Sequence, residues 1–198
     1  MPEAPKYQFV RGHYGLFPYT AEAGAYPEDM LVSLWSRLKT EGLWDVVFHE
    51  NPSMTLSGFM KFFAGSNNLL QICSIMRDEA PVDMAGMAWL ADPEDCPGGL
   101  RKAYGSFLFF KDYQKPAFTD PFCKMILEFW YQVLGVTLVV GMSPSRNRPA
   151  LIYVKRSGFK EVARLPGFTS FEGQIDDAVL TAMTRADYLS LNGGGRVQ

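Results

Sequence analysis

The 198-residue chain is 47% hydrophobic and 20% charged, with a formal net charge of −2. That balance suits one globular domain with a sizeable core, and it excludes the basic surplus that broad binding to nucleic acid or to an acidic membrane surface requires. Three cysteines, Cys73, Cys96 and Cys123, lie far apart without a CxxC pair, which points to a reduced, cytoplasmic protein, and two histidines, His13 and His49, are too few and too separated for a metal site.

The opening residues, MPEAPKYQFV, carry no apolar core, so no secretion signal is expected. From Pro27 to Leu43, Met30, Leu31, Leu34, Trp35 and Leu38 make one apolar stripe, which predicts a helix. Leu56, Phe59, Met60 and Phe63 predict a second over Thr55 to Ala64. Strands are expected over Leu69–Arg77 and Met84–Leu90, joined by a turn from Asp78 to Asp83. Ala91 to Gly99 is expected to be a loop, and Tyr104 to Phe110 an aromatic-rich strand.

The next helix has Phe122, Met125, Ile126, Phe129, Trp130, Val133 and Leu134 at helical spacing, with Asp120 as cap, Pro121 in the first turn and Gly135 at the end. Its greasy run is broken by Glu128, Gln132 and Gly135, so it reads as a buried helix and strand, not a membrane span. A buried strand follows over Thr137–Met142, then a helix over Arg148–Ser157 closed by Gly158. Strands are expected over Lys160–Leu165 and Ala178–Met183, and Thr184 caps a last helix, Arg185–Leu191. Residues 193–198 are expected to be a disordered tail, leaving 1–192 as a single domain. Strand–helix–strand units beside antiparallel hairpins imply an α/β class with a mixed sheet and helices on both faces.

The stretch Ser145–Phe159, SRNRPALIYVKRSGF, follows one apolar strand and precedes another. Asn147 is followed three residues on by Ala150 and eleven on by Gly158-Phe159. With the element order over residues 27 to 190, this motif resembles the GCN5-related N-acetyltransferase superfamily, as a divergent member. Residue by residue, a cap at Asn147 and a helix stop at Gly158 would also explain these positions.

The resemblance implies a sheet whose fourth and fifth strands, here Tyr104–Lys111 and Thr137–Met142, splay apart. The arm of acetyl-CoA, the co-substrate, would enter there and pair with the backbone of Phe109, Phe110 and Lys111. Asn147 would contact the pantetheine. The phosphate loop would be Gln114-Lys115-Pro116-Ala117-Phe118-Thr119, where Gln114, Ala117 and Thr119 fit the family pattern. Pro116 and Phe118 depart from it, and Asp120 places a negative charge near the phosphates. Lys115, Lys111 or Arg146 could supply cations, although each serves equally well as a solvated surface charge.

Many members place a proton-donating Tyr seven residues after the Asn, where this chain has Val154. Tyr153 is one residue early, which turns its side chain by about 100° and favours packing unless the helix starts elsewhere. Asp112 is the candidate general base nearest the expected acyl site; Asp83, Glu94 and His49 are further candidates. Cys123 reads as a packing residue, or as a thiol activated by a helix start. Trp89, Phe107 and Phe109 are candidates to line an apolar acceptor cleft. The resemblance thus implies an N-acetyltransferase in which an unknown amine attacks the thioester directly, with a homodimer left open. The alternative is a binding or assembly protein that kept the fold without the chemistry, of a kind resembling some chains in phage or prophage genomes.

Overall fold

The computed structural model describes residues 9–18, 28–48, 51, 53–64 and 68–192. In chain order these form β1 (Phe9–Arg11), β2 (Tyr14–Pro18), α1 (Glu28–Thr40), α2 (Trp44–Val47), α3 (Leu56–Ala64), β3 (Asn68–Arg77), β4 (Ala80–Cys96), β5 (Leu100–Phe109), α4 (Pro116–Glu128), β6 (Leu138–Pro144), α5 (Arg148–Arg156), β7 (Lys160–Phe171), β8 (Gln174–Thr184) and α6 (Arg185–Asn192). The strands hydrogen-bond in the order β1-β2-β3-β4-β5-β6-β8-β7. The sheet is mixed: β5 pairs with β6 in parallel, while β1–β2, β2–β3, β3–β4, β6–β8 and β7–β8 are antiparallel. Among the described residues, no helix is long and apolar enough to cross a membrane. The expected tail, 193–198, and the candidate base His49 lie outside the described residues.

By contacts the chain divides into two compact units, residues 1–92 with 106–126, and residues 93–105 with 127–198. The first unit is built around the stripe read from α1. Leu31, Leu34 and Leu38 are all buried, and they share a core with Phe59 and Phe63 of α3 and with Trp44, Phe48 and Trp89. Phe48 stacks on Trp44 at 4.5 Å and on Trp89 at 5.7 Å. Trp89 therefore belongs to the core, where Phe48 and Phe63 cover it. Phe109 is also buried, packed on Phe122 with ring centroids 5.8 Å apart. Aromatic side chains with this much area leave water wherever a core can take them.

Several boundaries differ from expectation. The β3–β4 turn is only Asp78-Glu79, both at positive φ, so β4 begins at Ala80. It also runs through the expected loop to Cys96, and the remaining turn is Pro97–Gly99, where Gly98 and Gly99 supply the positive φ. The hairpin β1–β2 and the four-residue α2 are too short to carry a periodic signal.

Helix α4 begins at Pro116, four residues before its expected cap, because the Lys115 carbonyl accepts from the N–H groups of Phe118 and Thr119 at 2.9 and 3.0 Å. Pro121 consequently lies inside the helix, where it has no N–H for the Ala117 carbonyl. The Tyr14 hydroxyl donates to that carbonyl at 3.0 Å instead. Cys123 is buried in mid-helix, not in a first turn. The helix ends in one wide turn, where the Leu134 N–H reaches the Phe129 carbonyl, and Gly135 at φ +68 stops it.

In the second unit, β7 and β8 form a longer hairpin than periodicity suggests, closed by Glu172-Gly173 at positive φ. Bulges between Glu161 and Ala163 and between Leu165 and Thr169 interrupt the alternation on which the strand reading depends. Thr184 caps α6 as expected: its Oγ1 accepts the Asp187 N–H at 3.1 Å, and Asp187 in return accepts the Thr184 N–H at 3.1 Å.

The Lys160 ammonium, then the Thr184 hydroxyl and N–H, hold the Asp187 carboxyl down to about 2. A carboxyl below its unfolded value of about 3.9 adds stability above that pH, and the contribution is lost as pH falls through 2. Asp187→Asn is expected to melt below the wild type at pH 6. Melting curves taken from pH 5 toward pH 2 should show the gap narrowing, and a constant gap would contradict the assignment.

Candidate functional site

The end of β5 is fixed by a close approach to β4. A Cβ on Gly86 would lie 2.3 Å from the Leu108 carbonyl oxygen, so only glycine admits the strand there. The Phe110 N–H donates to the Ala85 carbonyl at 3.0 Å, which aims Phe110 at β4. Backbone groups alternate along a strand, so the Phe109 carbonyl and the Lys111 N–H face the opposite edge. That edge is the one the resemblance assigns to the arm of CoA.

Both groups are taken by side chains. The chain turns sharply over Lys111–Tyr113, with the Tyr113 N–H on the Phe110 carbonyl at 2.8 Å. The turn brings Gln114 back, and its Nε2 donates to the Phe109 carbonyl at 3.0 Å. The Lys111 N–H donates to Glu41 Oε2 at 2.7 Å. Glu41 follows the last residue of α1 and is aimed by Arg37 one helical turn earlier, whose Nε donates to Glu41 Oε1 at 2.7 Å. The same guanidinium donates to Asp83 Oδ1 at 3.0 Å and to the Met84 carbonyl at 2.6 Å, and it lies 4.1 Å over the Phe110 ring. The Tyr113 hydroxyl donates to Asp83 through a short hydrogen bond.

This cluster sets its own protonation. Burial raises the Asp83 carboxyl, but the Tyr113 hydroxyl, the Met84 N–H and Arg37 together outweigh it and hold the group below its usual range. Burial and then the bond to Asp83 push the Tyr113 hydroxyl up to about 12. Burial opposes the charge on Arg37 and is outweighed by Glu41 and Asp83. Asp83 is therefore an anchored anion, poorly suited to take up a proton near neutrality.

Of the residues expected at the site, Phe109, Phe110, Lys111 and Gln114 come together at the end of β5. Asp112 is exposed on the short turn. The expected phosphate loop is the first turn of α4. Lys115 is exposed, Ala117 is held by Tyr14, and Thr119 is buried with its N–H on the Lys115 carbonyl. Pro116 has no N–H, and those of Phe118 and Thr119 are used inside the helix. The backbone cradle for an anion is thus narrower than the family pattern.

In the second unit, Asn147 Oδ1 accepts the Ala150 N–H at 3.3 Å and caps α5. The helix starts at Arg148 as expected, so no shifted start reorients Tyr153, which is half-buried with its carbonyl accepting from Ser157. Arg146 is held by Asp176, at 2.9 Å from its N–H, and by Gln174, at 2.7 Å from its guanidinium. Glu94 pairs with Lys102 at 2.9 Å. Glu41 and Arg37 were missed by the sequence reading. Their spacing of four on one helix was a visible signal, but nothing local joined Glu41 to Lys111, 70 residues away.

The pairing of β5 with β6 covers Lys102–Tyr104 and Leu138–Val140 and goes no further, although β5 runs on to Phe109 and β6 to Pro144. The ladder ends after three pairs. A parallel central pair within a mixed sheet of the observed order is the arrangement of the GCN5-related N-acetyltransferase fold, and the chain has that fold.

The spermidine N-acetyltransferase of Vibrio cholerae, solved in complex with CoA and spermine, is similar in structure, with a TM-score of 0.71 at 12% identity over 88% of this chain and 98% of that one. A ribosomal-protein-S5-alanine acetyltransferase from Vibrio fischeri gives a TM-score of 0.68 at 12% identity, covering 92% and 99%. No protein-family model matches the sequence, and no curated protein matches it.

Proposed function

We propose that the chain is an acyl-CoA-dependent N-acyltransferase, with acetyl as the acyl group. The observation that carries this reading is the run of β5 beyond its last pair with β6. A strand edge of that kind can take a peptide-like arm as a further strand, and the amides of pantetheine are such an arm. The acceptor amine would attack the thioester carbonyl. A C–N bond forms, the C–S bond breaks, and strand N–H groups stabilise the developing oxyanion.

The Phe109 carbonyl and Lys111 N–H are the proposed contacts for the arm, on the edge opposite the Phe110 N–H. Gln114, Lys115, Ala117 and Thr119, at the start of α4, are proposed for the pyrophosphate, and Asn147 for the pantetheine. Asp112 is the proposed acceptor of the amine's proton, and Tyr153 the proposed donor to the leaving thiolate. If these two groups move protons in the transition state, Asp112→Asn and Tyr153→Phe should each lower kcat by roughly 100-fold. An unchanged kcat reassigns the proton transfer to water.

A second reading, a protein that keeps the fold without catalysis, is favoured by one observation. The two backbone groups meant for the arm already have partners in Gln114 and Glu41. Calorimetric titration with acetyl-CoA tests the proposal, followed by thiol release with spermidine, spermine and a peptide with N-terminal alanine. The acceptors are suggested by the two neighbours named above. Saturable binding with thiol release is expected. No heat at millimolar acetyl-CoA would remove the enzyme reading, and binding without release for every amine would favour the second.

A further inference from the structure

The Phe109 carbonyl and the Lys111 N–H flank Phe110 on one edge of β5. In a parallel ladder, one residue of a neighbouring strand satisfies such a pair, giving its N–H to the first residue and taking the N–H of the third. Here the two halves come from separate side chains. Gln114 supplies the N–H at 3.0 Å, and the Glu41 carboxylate takes the Lys111 N–H at 2.7 Å. Together they reproduce the hydrogen bonds that one extended residue, with an amide on either side of it, would make.

We infer that Glu41 and Gln114 are an internal stand-in for the acyl donor's amide arm, and that the donor binds by displacing them. This rests on the N-acyltransferase reading and adds a device to it. Glu41 is the stronger half, because a carboxylate on a backbone N–H is a charge-assisted bond. Arg37 keeps the carboxylate aimed in the absence of ligand, through its Nε at 2.7 Å, and Asp83 and the Met84 carbonyl hold Arg37 in turn. The site is built closed, and the apparent affinity for the donor is reduced by the small fraction of chains in which it stands open. Release involves no covalent change: the carboxylate stays paired with Arg37 and gives up only the Lys111 N–H.

The test is calorimetric titration of the full-length wild type, Glu41→Ala, Glu41→Gln and Gln114→Ala with acetyl-CoA, with a melting curve for each. Glu41→Gln keeps the side-chain shape and an acceptor for Arg37, so it reports even where Glu41→Ala destabilises the fold. Glu41→Ala should bind acetyl-CoA about tenfold more tightly than the wild type, from the strength of one charged hydrogen bond. Glu41→Gln, whose one oxygen serves Arg37 while its NH2 faces the Lys111 N–H donor to donor, should tighten binding by a similar factor. Gln114→Ala removes a stand-in bond and a proposed pyrophosphate contact together and should bind close to the wild-type affinity. A wild type that binds while the Glu41 variants bind equally or more weakly overturns the stand-in and leaves the acyltransferase reading in place. An absence of binding in all four proteins overturns both.

Discussion

Trp44→Ala is expected to destabilise the chain by about 3–5 kcal/mol, the usual cost of deleting a large aromatic ring from a packed core. Trp44 is 2% exposed, and its ring meets Trp35 at 4.2 Å, Phe48 at 4.5 Å and Phe59 at 5.8 Å, so no water-filled side is left to collapse into the space. The Lys39 ammonium lies 4.1 Å over the same ring and would lose its aromatic partner. The residue opens α2 just after Leu43, whose N–H bonds back to Leu38 at the end of α1. Loosening it therefore frees the chain that carries Glu41. Urea denaturation should show a lower midpoint with an unchanged slope, whereas Trp44→Phe should keep most of the stability. A loss under about 1 kcal/mol would mean that the cluster is not packed as described.

Gly86→Ala is the second large effect, and it is a steric one. The added methyl would meet the Leu108 carbonyl oxygen at 2.3 Å and the Phe109 Cα at 3.0 Å, and backbone atoms cannot rotate away as the end of a side chain can. The end of β5 must move off β4, at a cost of about 3 kcal/mol, the upper part of the overpacking range. Because the strand end carries the Phe109 carbonyl and Lys111 N–H, the same change should abolish acetyl-CoA binding if the proposed function holds. Gly141→Ala is the control. Its methyl would come no closer than 3.1 Å to a side-chain oxygen and 3.6 Å to the Gly105 carbonyl, so it should cost far less. Equal denaturation midpoints for the two variants would contradict the close approach at β5.

Much of this architecture could be read from the amino-acid order, where a pattern was long enough to be periodic. The stripe Leu31-Leu34-Leu38, the turn from Asn147 into α5 and the Thr184 cap all declare themselves within a few residues, because the interactions that make them span three or four positions. What escaped depends on partners far along the chain. Pro121 looked like a helix start because a proline without its N–H is tolerated there, and nothing nearby revealed that Tyr14 completes the bonding of Ala117. Trp89 and Phe109 looked available for a cleft because exposure is decided by what packs on the strand, Phe48 and Phe63 over Trp89 and Phe122 of α4 over Phe109. The candidate site divides in the same way. The end of β5 was legible from the family pattern, while Glu41 was found only once folding had placed α1 beside it.

The hydrogen bond from Tyr14 to Ala117 couples two positions that lie 103 residues apart in sequence. Pro121 leaves a carbonyl that the helix cannot satisfy, and Tyr14 has a hydroxyl that reaches it. A homologue with another residue at 121 would restore the helical N–H and release position 14 from needing a hydroxyl. Homologues that keep the proline should keep a donor at 14. The two sites would then change as a couple, and the short hairpin that carries Tyr14 would be retained for the sake of the helix that begins the proposed phosphate site.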